Sequence, residues 1–166
     1  MIREAVVEDA RRIAEIEVEG SRFAYKNIVS EESLYNDFTV ENRTPNCERW
    51  ISQKYFDVYV YEDSETGVVK GMMGLGMSGD EDKKDAFELH FLYVDPVYER
   101  AGIGTEMLKL FEKKGTEKGC SEFVIWVLEE NTIGKNFYEK NNYRPDGSEK
   151  IFMRWNKKEI RYIKKV

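Results

Sequence analysis

Residues 88–105 read ELHFLYVDPVYERAGIGT, and the fold follows from how that stretch divides. With Phe87 added, its first half alternates Phe87, Leu89, Phe91 and Tyr93 against Glu88, His90, Leu92 and Val94, a strand rich in aromatic and β-branched types. Asp95-Pro96 ends the strand, because proline lacks an amide hydrogen and pushes the residue before it out of the helical region. Arg100-Ala101-Gly102-Ile103-Gly104-Thr105 then runs into a helical pattern with Met107, Leu108 and Phe111 on one face. A glycine loop that opens a helix offers unpaired backbone N–H groups at the positive end of the helix dipole. It suits a phosphate or pyrophosphate, which the missing Cβ atoms allow to approach the backbone.

Two familiar phosphate loops fail the spacing. A P-loop needs Lys followed by Ser or Thr after its second glycine, and nothing of that form follows Gly102. A dinucleotide fingerprint needs a third glycine or alanine where Met107 stands, and it opens the first strand–helix unit of its domain, whereas this loop lies past the midpoint. For GIG alone, glycines that merely permit a bend are the better reading. The residues downstream at fixed spacing favour the functional alternative.

Composition sets the outer bounds. The chain has 166 residues, 41% hydrophobic and 13% aromatic, the profile of a packed globular domain. No apolar run approaches the roughly 20 residues a membrane span needs, and the first dozen residues lack a signal peptide's apolar centre. Cys47 and Cys120 form no disulfide framework, so a reducing cytoplasm is the expected location. One histidine and two distant cysteines give no metal-ligand spacing, and a net charge of −6 argues against nucleic acid as the main partner.

Along the chain, Ile2–Val6 is an opening strand and Glu8-Asp9 lead a helix with Ala10, Ile13 and Ile16 inside, expected to stop near Gly20-Ser21. Ser30–Ser33 starts a second helix carrying Leu34, Tyr35 and Phe38, which Pro45 interrupts. Phe23, Tyr25, Tyr35 and Trp50 are expected mainly in the core, with one or two at a pocket. Asp57–Tyr61 and Val68–Met77 form a hairpin; GMMGLGMSG at 71–79 is a glycine-rich strand, and DEDKKD at 80–85 a solvated loop. A helix ends at Gly119, Ser121–Leu128 is a buried strand, Asn131-Thr132 starts a helix holding Phe137-Tyr138, and Ile151–Trp155 and Glu159–Ile163 close the chain as antiparallel strands.

LYVDPVYERAGIGTEML at 92–108 resembles the acetyl-CoA loop of the GNAT superfamily of N-acetyltransferases, and EFVIWVLEENTIGKNFYEKNNYRPDGSEK at 122–150 resembles the strand and helix that follow it there. EIRYIKKV is similar to the closing strand of many small bacterial members. The likeness is strong from about Glu88 to Gly147 and weak before it. Glu99 departs from the usual Gln or Arg and is expected to turn outward, leaving the positive charge to Arg100; Asn142 replaces the usual glycine.

The resemblance implies a mixed α/β GNAT fold over residues 1–166 as one domain, a mostly antiparallel twisted sheet of about seven strands flanked by about four helices. It implies acetyl-CoA as cosubstrate, no metal, a small-molecule or peptide amine as acceptor, no membrane or nucleic-acid partner, and a homodimer as one assembly. Leu92, Tyr93 and Val94 and the backbone of Arg100, Ala101, Gly102, Ile103, Gly104 and Thr105 would bind the coenzyme, with Asn131 and Tyr138. Tyr138 would serve the departing thiolate, and Glu88 would remove the amine proton; His90 and solvent are the alternatives for that step. By plain alternation Glu88 and His90 share the face of Leu92 unless a bulge intervenes. The alternative to an enzyme is a GNAT-fold module that holds CoA without turnover.

Overall fold

A computed structural model describes residues 1–166. Seven strands, β1 (Ile2–Glu4), β2 (Asp57–Glu62), β3 (Val69–Met77), β4 (Phe87–Val94), β5 (Glu122–Leu128), β6 (Arg144–Phe152) and β7 (Lys157–Lys165), form one sheet in the order β1-β2-β3-β4-β5-β7-β6. Four α-helices flank it: α1 (Ala10–Tyr25), α2 (Val40–Gln53), α3 (Ile103–Glu117) and α4 (Thr132–Lys140). Every pairing is antiparallel except β4 with β5, which pair over only Phe87–Leu89 and Phe123–Ile125. Beyond Leu89 and Ile125 the two strands part. That gap positions the site.

Two apolar clusters hold the layers together. On one face Phe87, Phe111 and Phe123 are fully enclosed between the sheet and α3, each stabilising the fold by roughly 1.5–3 kcal/mol. Gly115 of α3 belongs to this contact, since a Cβ there would stand 2.5 Å from the Phe123 ring; it is a close-approach glycine and no weakness. On the other face Ile13, Ile16, Val60 and Met72 pack α1 and α2 against β2 and β3.

The same principle extends α1 past its expected end. Gly20 faces Tyr93, where a Cβ would come within 2.8 Å of the ring, so the glycine lets helix and sheet approach and α1 continues to Tyr25. Residues Glu32–Asp37 form only a short π-helical turn, and Pro45 lies inside α2, near its start. Thr39 caps that helix, and the Thr44 hydroxyl donates to the Val40 carbonyl near the proline. The glycines of GMMGLGMSG receive neighbouring side chains, Phe91 at Gly74 and the Met107–Ile103 pair at Gly71. The loop at 80–85 is structural too: Asp80 and Asp82 bind the buried Arg161, and Asp80 accepts the Trp126 indole N–H.

Candidate active site

The gap between β4 and β5 opens into a cavity of about 810 Å³, the volume of a small-molecule site. One register slip decides what faces it. Leu89 pairs with Leu75 and Phe91 with Gly74, so His90 is an extra residue with no partner on β3. The bulge reverses the alternation. Phe87, Leu89, Leu92 and Val94 face α3, while Phe91 and Tyr93 join the α1–α2 face. Glu88 and His90 therefore lie across the sheet from Leu92 and not on its side.

Beyond the bulge the backbone of β4 has donors to spare. Asp95 N–H bonds the Lys70 carbonyl on β3, so alternation turns the Val94 and Leu92 amides the other way, towards the gap. Tyr93 points its amide at β3, and its side chain lies half-buried on the far face, its hydroxyl 3.3 Å from that of Tyr25.

At one end of the cavity lies the glycine loop. Gly102 adopts φ +81° and Arg100 φ +62°, a left-handed pair of corners that aims the start of α3 into the opening. The amides of Ile103, Gly104 and Thr105 have no acceptor within the chain, and nothing stands within 4 Å of where a Gly102 Cβ would be. Arg100 and Glu99 both lie exposed at the rim, so Glu99 does not turn away from the cavity as expected; Ala101 is exposed and does not line it. Free amides and open space at a helix N-terminus fit the pyrophosphate of a coenzyme.

Helix α4 supplies the opposite wall. Asn131 caps it, its side-chain oxygen accepting from Gly134 N–H at 3.0 Å, and also lines the cavity. Tyr138 is 9% exposed, lines the cavity, and its hydroxyl has no partner in the chain. Burial, with the nearby Tyr93, pushes that phenol well above its ordinary range. Asn142 takes φ +69° just beyond the helix, the conformation glycine would otherwise supply.

The remaining walls come from the other face of the sheet. His90 lines the cavity, and its Nδ1 lies 3.3 Å from Glu88 Oε1. Glu88 itself does not line it; the other carboxylate oxygen accepts from Ser78 Oγ at 3.0 Å. Burial opposes its charge, but His90, Ser78 and Lys150 together hold the carboxyl below the ordinary range. Phe23, Tyr25 and Trp50 all reach the cavity, whereas Tyr35 is exposed and stays outside it. Glu17, Trp126, Phe152, Arg154, Trp155 and Glu159 complete the wall, and sequence patterning marked none of them. They come from α1, β5, β6, the β6–β7 turn and β7, and although the last four residues fall within 152–159, no motif spacing singles them out.

Known proteins converge on this geometry. The family described as acetyltransferase (GNAT) matches residues 23–143. An uncharacterised N-acetyltransferase of Bacillus subtilis, YuaI, is 28% identical over 134 residues, 78% of this chain and 72% of that protein. Spermidine N(1)-acetyltransferase of Thermoplasma acidophilum is 27% identical over 165 residues, 90% of this chain and 93% of its own. Among solved structures, the PaiA N-acetyltransferase of Thermoplasma acidophilum in complex with coenzyme A superposes with a TM-score of 0.76 at 23% identity, covering 100% of this chain and 98% of that one.

Proposed function

The chain belongs to the acetyltransferase (GNAT) family and is an N-acetyltransferase; on that premise we propose how its residues divide the work of moving an acetyl group to a primary amine. One observation carries the proposal: the Leu92 and Val94 amides open into the same cavity that Tyr138 and the Gly102–Thr105 loop line.

Acetyl-CoA, when bound, supplies an activated acyl carbon and a sulfur leaving group. The free amides of Ile103, Gly104 and Thr105, with Arg100 beside them, hold its pyrophosphate. Val94 N–H holds the pantetheine amide, and Leu92 N–H faces the acyl oxygen as negative charge builds on it. Asn131 fixes the start of α4 and so the direction of Tyr138.

Tyr138 donates a hydrogen bond to the departing sulfur. Its raised pKa keeps it protonated throughout the neutral range, so it is always ready as a donor. On the acceptor side His90 takes the ammonium proton, with Glu88 behind it to orient the ring. Glu88 is thus a positioning residue. The amine attacks directly: neither Cys47 nor Cys120 lines the cavity, so no thiol is at hand to carry the acetyl group. Residues 1–166 work as one acetyltransferase unit, and the acceptor is a small molecule or the end of a peptide.

The test follows free thiol released from acetyl-CoA across a panel of amines. Release that depends on an amine, and falls about 100-fold in His90→Gln near neutrality, is the expected result. That loss should shrink as the pH approaches the amine's own pKa, near 10.4 for a lysine-like amine. Coenzyme binding with no thiol release from any amine would leave only a binding module.

A further inference from the structure

On the acceptor side of the cavity, charged side chains fall into those with partners and those without. Glu17 is 4% exposed, and both its oxygens are taken by Arg43, at 2.9 and 3.0 Å. Arg154, on the turn between β6 and β7, comes only within 3.7 Å of Glu17 because Arg43 already holds that carboxylate. Its guanidinium makes no hydrogen bond and rests against the rings of Phe38, Phe152 and Trp155. Glu159 also lines the cavity and has neither a hydrogen bond nor an ion pair. Its cross-strand neighbour is Lys150, but that ammonium sits 4.0 Å over the Trp126 ring instead. Burial lifts the Glu159 carboxyl above its ordinary range, Lys150 offsetting this only in part and Glu88 adding to it.

The acceptor wall thus presents one anion without an ion pair, Glu159, and one cation, Arg154, whose single carboxylate contact is the 3.7 Å approach to a Glu17 that Arg43 already holds. A polyamine brings only positive charge and would set it against Arg154. A plain hydrophobic amine would strip water from both charges and return nothing to either. A molecule carrying both signs satisfies the wall completely, and arginine's planar fork is the side chain best shaped for an acid group.

We propose that the acceptor is a zwitterion of the amino-acid class, its acid group held by Arg154 and its ammonium by Glu159. The inference rests on the acetyl-transfer reading above. Glu159 holds the ammonium while His90 removes a proton from it, and Arg154 fixes the far end, so the amine meets the acyl carbon in one orientation.

The experiment uses the full chain with acetyl-CoA and matched acceptors: free amino acids, their methyl esters, their decarboxylated amines, and spermidine. Thiol release gives kcat/KM for each. Free amino acids should exceed their esters and decarboxylated amines by about 10- to 100-fold, the range for hydrogen bonds to a charged group. Arg154→Met keeps the length and ring packing of the side chain; it should raise KM for the amino acid until the advantage over the ester disappears. Glu159→Gln should raise KM for amino acid and ester alike. Spermidine, an ester or a decarboxylated amine used as well as the free amino acid by the unmodified protein would overturn the inference, and so would an advantage that survives Arg154→Met. A protein that binds CoA and acetylates nothing would instead remove the acetyl-transfer reading on which the inference stands.

Discussion

The coenzyme half and the acceptor half of the cavity are built from different materials. The first is largely backbone: the amides of Leu92 and Val94 where β4 leaves β5, and those of Ile103–Thr105 at the start of α3. The second is largely side chain, drawn from α1, the β4 bulge, β7 and the β6–β7 turn. Backbone geometry is fixed by strand pairing and by glycine, so it tolerates much substitution around it. A wall of side chains changes with each substitution, and its charges are tied into the core through Glu17 and Arg43.

Breaking that tie is the strongest way to test the contrast. Arg43→Met leaves Glu17 buried without its principal partner, and folding stability should fall by about 3 kcal/mol, the low end for a broken buried ion pair. The low end applies because Arg154 stands close enough to move in. Urea unfolding reads the loss, and coenzyme affinity measured below the transition should be unchanged. An equal loss in coenzyme affinity would mean that the two halves are not separable.

Next comes Tyr138→Phe, which keeps the ring against Phe137 and Tyr143 and removes the hydroxyl. Turnover should fall on the order of 10- to 1000-fold with coenzyme affinity and stability retained. Unaltered turnover would make Tyr138 a packing residue only.

The coenzyme half responds to backbone change. Gly102→Val forces a β-branched residue to φ +81°, a strain of roughly 1–2 kcal/mol that the loop can relieve by turning its amides. Coenzyme affinity should drop about tenfold by calorimetry, and acceptor preference should stay the same. Retained affinity would mean that side chains hold the pyrophosphate.

The smallest effect is a difference in sign. Glu88 has a depressed pKa, so its stabilising charge is present above the ordinary carboxylate range and lost on acidification through the lowered pKa. Glu159 has a raised pKa, so stability falls as the pH rises through the ordinary carboxylate range, and the cost is complete above the raised value. At pH 7 Glu88→Gln should therefore destabilise and Glu159→Gln stabilise, each by roughly 1 kcal/mol or less; on acidification the Glu159 difference disappears below the ordinary carboxylate range, and the Glu88 difference persists to lower pH. Matching signs would mean that Glu159 has a partner in solution.

The two halves also differ in how far the sequence revealed them. YVDPVY, GIGT and FYEK are contiguous, and periodicity alone lays them on a strand end, a helix start and a helix face. The His90 bulge was invisible, because an extra residue leaves no mark in an alternating run of apolar and aromatic types. It moved Glu88 and His90 to the face opposite Leu92. Gly20 reads as a stop only because its Cβ-free face meets Tyr93, a partner more than 70 residues away. Glu159 sits in KKEIRYIKK, where it looks like any solvated strand carboxylate; Arg161, two residues on, is the one buried in a knot of aspartates.

Trp50, Trp126 and Trp155 are the only indoles in the chain, and all three line the cavity. Trp155 stands edge-on to Tyr25, Phe38 and Phe152 beneath Arg154, Trp50 stacks on Phe91, and Trp126 carries the Lys150 ammonium. Tryptophan emission, excited at wavelengths that the ten tyrosines do not absorb, therefore originates wholly at the binding surface, with no background from distant indoles. All three rings stand on the acceptor wall, so an acceptor should alter the light directly, whereas the coenzyme half, built largely of backbone, carries no indole of its own. The molecule carries its own optical readout of acceptor binding.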